Sequence, residues 1–320
     1  MSARPRIACV GVHILDTLAR PIDLLPRTQQ AVIVEQIRIA PAGTAGGTAV
    51  VLARLGAEVL SVGAVGDDHA GRFLRLLLEE EGIDTAALSV KQGAQTAASV
   101  LPISSAGVRP AWTVRGTNAL LGRDDLPWDA LGTLDALHYG GVSALPGLDG
   151  AVATELLAAA RAAGVRTSAD CLGIKRDDAM QTLRPTLPQI DLFMPNRAEA
   201  LTLTGRSDPR EAARALRDEG AAAVIVKLDD EGCFGIGPDG EFTHPTFAVD
   251  VVDTTGCGDA FCAGTIRGLA LGRSLEEAAW LGIAAGALTA GGLGSDAGVR
   301  DLEGTLAFLE SQRRSAVEAR

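Results

Sequence analysis

The composition of this 320-residue chain excludes several classes of protein before any motif is considered. A net charge of −11 argues against binding to nucleic acid or to an anionic membrane surface, and no apolar run reaches the roughly 18 residues of a membrane span. The five cysteines form no C-x-x-C pair and no zinc-binding spacing. We therefore interpret them as reduced thiols and expect a cytoplasmic protein.

The chain begins with a short apolar run that predicts a buried strand, and an aspartate follows it. The run covers residues 6–12, and Asp16 lies a few positions beyond. An aspartate at such a place often only starts a turn, but a carboxylate also accepts two hydrogen bonds at once, which suits neighbouring hydroxyl groups. Residues 30–39 alternate between apolar and polar, which predicts a half-exposed strand that covers something on one face, as a lid would.

A glycine-rich turn at residues 41–48 opens the first predicted helix, which runs to about residue 55. Gly43, Gly46 and Gly47 belong to this turn. Glycines before a helix let another molecule approach the backbone closely. The turn is therefore a candidate contact for a small molecule.

A hairpin is predicted in the next part of the chain. Residues 95–103 and 109–114 are strand-like, and a short Ser-Ser-Ala-Gly turn joins them. Together with residues 12–40 they would form a small sheet that projects from the main body. Beyond the hairpin, Asn118 is a candidate contact for a sugar hydroxyl, and Arg115 either suits an anionic substrate or is solvated.

From about residue 134 strands and helices alternate. Strand patterns at residues 136–139 and 165–169 flank an alanine-rich helix at residues 150–163. This alternation predicts an α/β fold with a doubly wound, mostly parallel central sheet flanked by helices. We expect one domain over residues 1–320, with lid strands inserted from about 12–40 and 95–115.

Two later strands end in polar residues, where open α/β sheets bind their ligands. A strand at residues 190–194 is followed by Asn196 and Glu199, which face the same side of the first helical turn. An ordinary helix start has the same appearance. Lys227 ends the strand at residues 221–227 and is a candidate phosphate contact.

The most informative stretch combines a β-branched run, a glycine turn and a helix. Residues 247–252 suggest a buried strand, Gly256, Cys257 and Gly258 form the turn, and the helix starts at Asp259. Main-chain N–H groups and the helix N-terminus together make an anion site. A carboxylate beside a bound anion is repelled, so Asp259 is either a helix N-cap or a base for a hydroxyl that attacks a phosphoryl group.

The string D-T-T-G-C-G-D-A-F at residues 253–261 resembles the second signature of the PfkB (ribokinase-like) carbohydrate kinases. The turn at residues 41–48 with its following segment is similar to the first signature of that family, and Asn196 to Glu199 matches its N-x-x-E motif. The chain departs from the family pattern in two notable places. Gly47 stands where the family commonly has a sugar-binding asparagine, and Cys257 stands where a small Ala or Ser is usual.

The resemblance implies a ribokinase-like fold with a small β-sheet lid and a role for the second signature. Asp259 would be the catalytic base, and Gly256, Cys257 and Gly258 would form the anion hole. Gly256 and Gly258 would also contact the nucleotide phosphates. Asp16 would bind the sugar.

The other motifs receive roles by the same resemblance. The turn with Gly43, Gly46 and Gly47 would face the sugar. Asn196 would contact the nucleotide, and Glu199 would hold Mg²⁺ through water. The family often holds K⁺ beside the anion hole, with counterparts here at Asp253, Thr255 and Ser295.

These expectations describe an ATP-dependent kinase that phosphorylates a primary hydroxyl of a sugar or sugar derivative, with ATP, Mg²⁺ and K⁺ as cofactors. A nucleoside kinase of the same family and a non-catalytic sensor of a nucleotide or sugar are the alternatives. The partner is a small-molecule sugar or nucleoside, with no nucleic acid and no membrane. Free edges of the lid sheet favour a homodimer that forms through the lid.

Overall fold

A computed structural model describes residues 4–318, which form an α/β structure with a large sheet and a small one. The strands are β1 (Arg6–Gly11), β2 (Ile14–Arg20), β3 (Gln36–Ala42), β4 (Glu58–Gly66), β5 (Leu88–Lys91), β6 (Ala98–Pro102), β7 (Trp112–Val114), β8 (Ala136–Val142), β9 (Arg166–Cys171), β10 (Leu192–Phe193), β11 (Val224–Lys227), β12 (Cys233–Gly237) and β13 (Gly240–His244). The α-helices are α1 (Gly46–Arg54), α2 (His69–Glu80), α3 (Ala151–Ala162), α4 (Ala179–Leu183), α5 (Arg197–Thr204), α6 (Pro209–Asp218), α7 (Cys257–Ala270), α8 (Leu275–Ala290) and α9 (Leu302–Glu318).

The large sheet carries the main core. Its strand order is β13-β12-β11-β10-β9-β8-β1-β4-β5, and only the pairings that involve β12 and β13 are antiparallel. β1, β4 and β8 are buried along almost their whole length, as expected for parallel strands covered by helices on both faces. The predicted mostly parallel central sheet is confirmed.

The small sheet has the order β3-β2-β6-β7 and forms the lid. β6 and β7 pair antiparallel, as the predicted hairpin requires. The strand predicted at residues 30–39 instead occupies Gln36–Ala42, and residues 30–35 form no strand. The reason is that only the later residues find a partner: Gln36 pairs with Arg20 at the end of β2.

The strand predicted at residues 247–252 is absent, so the helix α7 follows an irregular segment. The aromatic side chain of this run, Phe247, packs on helices instead of in a sheet. The ring of Phe247 lies 5.5 Å from that of Trp280 in α8 and 5.9 Å from that of Phe308 in α9, and Val251 is exposed. The N–H of Val252 donates to the carbonyl of Ala290 at 2.8 Å, which attaches the segment to the end of α8.

Close packing against α8 fixes α7. A Cβ at Gly264 would lie 2.6 Å from the carbonyl oxygen of Leu281, and one at Gly282 would lie 2.3 Å from the hydroxyl of Thr265. Glycine at these positions lets the two helix backbones touch. Across residues 4–318, none of the helices combines the length and the apolar character needed to span a bilayer.

Candidate active site

Two parallel strands and the start of α7 bring charged groups together at one edge of the large sheet. Asp170 lies near the carboxyl end of β9 and Lys227 is the last residue of β11. The Lys227 Nζ is 2.6 Å from the Asp170 Oδ2, and it lies 3.4 Å from the place where a Cβ of Gly258 would stand. The sheet edge therefore presents a cation to the first turn of α7, as expected for a ligand site in an open α/β sheet.

Residues 256–258, the second glycine turn, leave main-chain donors open. Gly256 caps α7 with φ +77°, and a Cβ there would lie 2.2 Å from the Cβ of Ser295, so the position requires glycine. Within residues 4–318, the N–H groups of Gly256 and Gly258 have no acceptor, and that of Cys257 makes only a 3.4 Å contact with the carbonyl of Thr254. Open donors at a helix N-terminus can bind an anion.

Residues 43–47, the first glycine turn, use most of their donors internally. The N–H groups of Ala45 and Gly46 both donate to the carbonyl of Val12 at 3.1 Å, and that of Gly47 donates to the carbonyl of Gly43 at 2.7 Å. Within residues 4–318, the N–H groups of Gly43 and Thr44 have no acceptor. The two glycines that start α1 therefore offer space instead of hydrogen bonds, and the open donors of this turn precede the helix.

Neighbouring atoms occupy the space that side chains at Gly43, Gly46 and Gly47 would need. A Cβ at Gly46 would lie 3.2 Å from the ring of His13, and a Cβ at Gly47 would lie 2.9 Å from the Oδ2 of Asp259. At Gly43, with φ +92°, a Cβ would lie 2.5 Å from the carbonyl oxygen of Val12. The absence of a side chain at Gly47 therefore leaves the space that the carboxylate of Asp259 occupies.

Asp259 has the properties of a general base at neutral pH. It is half-buried in the first turn of α7. Burial raises the pKa of Asp259 to about 7, the charge of Asp170 adds to the increase, and the charge of Lys227 opposes it. A base with a pKa near the working pH combines a large ionised fraction with adequate proton affinity.

Asp16 lies on β2 in the lid and is buried. Its Oδ1 has no hydrogen-bond partner among residues 4–318. Burial raises the pKa of Asp16 to about 6, while a hydrogen bond from the Ser99 side chain and the charge of Arg109 lower it. A buried carboxylate oxygen without a partner is unfavourable unless a ligand supplies the donor.

Comparison with known proteins identifies the family. Residues 4–301 match the pfkB family of carbohydrate kinases. The chain belongs to this family. It is 30% identical over 286 residues to the ATP-dependent ribose-1-phosphate kinase of Halopiger xanaduensis, with 89% of this chain and 92% of that protein covered.

Solved structures agree with this assignment. Aminoimidazole riboside kinase from Salmonella enterica, complexed with aminoimidazole riboside and an ATP analog, superposes with a TM-score of 0.76 at 25% identity, covering 95% of this chain and 99% of that one. Arabidopsis thaliana ribokinase, complexed with ribose and ATP, has a TM-score of 0.78 at 23% identity over 96% and 99% of the two chains, which shows the shared fold. The chain is thus a ribokinase-like phosphotransferase with an alcohol group as acceptor. This assignment favours an enzyme over the non-catalytic sensor.

In this kinase, Asn196 and Glu199 form a reciprocal capping box at the start of α5. The Asn196 Oδ1 accepts from the N–H of Glu199 and the Glu199 Oε2 accepts from the N–H of Asn196, both at 2.9 Å, while the Glu199 Oε1 accepts from the N–H of Gly173 at 2.8 Å. Each carboxylate oxygen keeps one lone pair, and the amide nitrogen of Asn196 donates to no residue in the described range. These groups fit a metal that is bound through water.

No set of three or more His, Cys, Asp or Glu side chains within residues 4–318 could hold a metal ion directly. Magnesium in phosphoryl-transfer sites usually keeps several waters and binds few protein carboxylates. A single buried carboxylate near the strand ends is therefore sufficient for this kind of ion.

Asn118, a candidate for a sugar contact, has a different role from the one predicted. Its Nδ2 donates to the carbonyl of His13 at 2.9 Å and its Oδ1 accepts from the N–H of His13 at 3.2 Å. Both ends of the amide thus orient the backbone between β1 and β2, just before Asp16. We correct its assignment from a ligand contact to a positioning residue.

Asp253, Thr255 and Ser295, the candidate K⁺ ligands, lie together but bind to protein groups. The Asp253 Oδ1 accepts from the N–H and the hydroxyl of Thr255 at 2.9 and 2.7 Å, and its Oδ2 accepts from the N–H of Gly294 at 2.9 Å. The hydroxyl of Ser295 donates to the carbonyl of Pro41 at 2.7 Å. These side chains hold the second glycine turn in place. Among the residues that the structure describes, the Oδ2 of Asp253 accepts only the one hydrogen bond from Gly294 and keeps a lone pair for a cation, so K⁺ binding at this set of residues stays a prediction.

Three features of the site were missed from the sequence. Asp170, near the carboxyl end of β9, forms the ion pair with Lys227. Ser99 lies opposite Asp16 in the parallel pairing of β2 with β6, and Arg109 reaches the turn before α7. The alternation of β6 could have revealed Ser99 once its pairing with β2 was assumed, whereas Arg109 lies in an irregular loop that carries no periodic signal.

Proposed function

We propose that this kinase transfers the γ-phosphoryl group of ATP to a primary hydroxyl of a sugar or sugar derivative, with Asp259 as general base. The observation that carries the proposal is the proximity of three groups. The carboxylate of Asp259, the open N–H groups of Gly256 and Gly258, and the ammonium of Lys227 all lie at the first turn of α7.

The chemistry follows from this arrangement. The ionised carboxylate of Asp259 takes the proton of the acceptor hydroxyl as its oxygen bonds to the γ-phosphorus. The bond from that phosphorus to the bridging oxygen of ADP breaks, and ADP leaves with the electron pair. Negative charge on the transferring group is stabilised by the N–H groups of Gly256 and Gly258, in a site that needs little rearrangement.

Nucleotide binding uses the neighbouring strand ends. Asn196 and Glu199 would hold Mg²⁺ through its water ligands, and the ion would neutralise charge on the β- and γ-phosphates when bound. Lys227 is oriented by Asp170 and would contact a phosphate oxygen. Burial disfavours the charged form of Lys227, but the charges of Asp170 and Glu199 outweigh this and raise its pKa, so it stays protonated. K⁺ would bind beside the second glycine turn, at Asp253, Thr255 and Ser295.

The acceptor would bind between the lid and the first glycine turn. The unpartnered Oδ1 of Asp16 accepts hydrogen bonds from acceptor hydroxyls. Gly47 provides no side chain for a further hydroxyl, and the carboxylate of Asp259 occupies the space there. A nucleoside is the second candidate acceptor, because the Salmonella relative is a riboside kinase by name.

We also propose a homodimer that forms through the outer face of the lid. Ile37 and Ile39 of β3, Val100 of β6, and Trp112 and Val114 of β7 are all exposed. An apolar sheet face of this kind is usually covered.

All five cysteines are free thiols, which supports the cytoplasmic assignment.

The kinase proposal is tested by an ADP-release screen with MgATP across hexoses, ketoses, sugar acids and nucleosides, in buffers of either potassium or choline. We expect release above the acceptor-free rate with at least one sugar or sugar derivative, and a higher rate in the potassium buffer. Release with nucleosides alone would support the second candidate. No release with any acceptor would contradict the proposal.

A further inference from the structure

Arg109 lies in the lid loop between β6 and β7 and reaches across to the segment before α7. Its Nε donates to the hydroxyl of Thr254 at 3.1 Å and lies 3.9 Å from the Oδ1 of Asp253. The side chain is 37% exposed. Its two terminal nitrogens donate to no residue in the described part of the chain, so the planar edge of the guanidinium is open to a ligand.

The open edge of the Arg109 guanidinium lies among the charged groups of the cleft. Asp16, Asp253 and Asp259 place three carboxyl groups near it, and the charge of Arg109 lowers the pKa of both Asp16 and Asp259 against the larger effect of burial. Lys227 is already paired with Asp170 at 2.6 Å. Arg109 is thus a cation on the lid side of the cleft with donors still available.

One face of the lid sheet carries the polar groups expected for an acceptor, and Arg109 lies in the loop that joins two of its strands. Asp16, Ser99 and Thr113 stand in one row across β2, β6 and β7, so their side chains share a face of the small sheet. The hydroxyl of Thr113 donates to that of Ser99 at 3.0 Å. A carboxylate and two hydroxyls of the sheet, and a guanidinium of the adjoining loop, therefore belong to the lid.

A guanidinium with a free edge binds a carboxylate or phosphate through two parallel hydrogen bonds. The transferring phosphoryl group already has a cation beside the second glycine turn, because Lys227 Nζ stands next to Gly258. Arg109 approaches from the opposite, lid side through Thr254.

We propose that Arg109 recognises an anionic group of the acceptor, so that the preferred substrate is a polyhydroxy compound bearing a carboxylate or a phosphate. This inference rests on the proposed kinase activity. Arg109 then determines specificity, Asp16 binds hydroxyls, and Asp259 acts on the hydroxyl that is phosphorylated.

Matched acceptor pairs test the inference in steady-state ADP-release assays at saturating MgATP. The pairs are glucose with gluconate and ribose with ribose 1-phosphate, each with a free primary hydroxyl. We expect the wild-type kcat/KM to be at least about tenfold higher for one anionic member than for its neutral partner. In Arg109→Gln this value should fall about 30-fold, as for loss of hydrogen bonds to a charged group, while the neutral partner changes less than about threefold.

The matched control is Arg27→Gln, which removes an exposed arginine from the lid loop between β2 and β3. It should change neither member of a pair, and both variants should keep the wild-type thermal unfolding midpoint. An equal loss for neutral and anionic acceptors would assign Arg109 to the transferring phosphoryl group and overturn the inference. A wild-type preference for the neutral members would also overturn it. Absence of ADP release with every acceptor would instead contradict the kinase proposal itself.

Discussion

The two glycine turns of this kinase begin helices with similar sequence patterns, but they offer a ligand different things. In the first glycine turn the N–H groups of Ala45, Gly46 and Gly47 are bonded to nearby carbonyls. In the second, the N–H groups of Gly256 and Gly258 are open. At the start of its helix the first turn therefore contributes space at Asp259, whereas the second contributes donors. The open N–H groups of the first turn, those of Gly43 and Thr44, precede the helix. Glycine followed by a helix is thus a pattern with two physical uses, and only the hydrogen bonds distinguish them.

The largest effect is expected from Asp259→Asn. The amide keeps the shape of the side chain but cannot take a proton, so kcat should fall by roughly three decades, at the upper end for general-base catalysis. ADP release measures the loss, and calorimetric binding of MgATP and thermal unfolding should stay close to wild type. Near-normal turnover would remove Asp259 from the mechanism.

A second variant, Gly256→Ala, tests whether the second glycine turn acts through its donors. The Cβ would lie 2.2 Å from Ser295 at a φ of +77°, so the turn must change shape and its N–H groups lose their direction. We expect a loss of about 10² in kcat, as for one missing oxyanion donor. Gly93→Ala is the matched control, because φ there is +67° and nothing lies within 4 Å. Equal activity of the two variants would contradict the role of the turn.

A pair of alanine variants sharpens the comparison at a smaller scale. In Gly47→Ala the new Cβ would lie 2.9 Å from the Oδ2 of Asp259, so the carboxylate must rotate, and kcat should fall about tenfold. In Gly258→Ala the Cβ would meet only the flexible end of Lys227 at 3.4 Å and the N–H remains, so the loss should stay below about threefold. A larger loss of kcat in Gly258→Ala than in Gly47→Ala would contradict these roles of the two turns.

The pH dependence of kcat/KM should show a plateau above neutrality and a steady loss in acid. The active form needs an ionised Asp259, and burial raises the pKa of this residue to about 7. Activity should therefore be about half-maximal near pH 7 and decrease below it, with a steeper decrease below about pH 6, where Asp16 is also protonated. A flat profile between pH 5 and 8, measured by ADP release, would be inconsistent with this ionisation.

Much of the fold was predictable from the sequence because the spacing of apolar residues indicates which side chains are buried. The alternation of β8, α3 and β9 followed from apolar runs and helix-ending glycines, and the hairpin of β6 and β7 from a short turn. The run at residues 247–252 misled the prediction, because β-branched and aromatic residues can be buried against helices as well as in a sheet. Phe247 packs on Trp280 in this way.

The candidate site was predictable where a motif is local and unpredictable where contacts are distant. Asp259 and its glycine turn are adjacent in sequence, so one string indicates them. The pairing of Lys227 with Asp170 and the hydrogen bond of Arg109 with Thr254 join residues 57 and 145 positions apart. The amide of Asn118 can bond to a sugar hydroxyl, but in the structure its partner is the backbone of His13.

The most direct test of the contrast between the turns is amide NMR of the ¹⁵N-glycine-labelled kinase, titrated with MgADP and aluminium fluoride as a mimic of the transferring phosphoryl group. Single-glycine variants assign the relevant signals. We predict that the N–H resonances of Gly256 and Gly258 move strongly downfield as they bind the mimic, while those of Gly46 and Gly47 stay near their free positions. Larger shifts at Gly46 and Gly47 than at Gly256 and Gly258 would contradict the account.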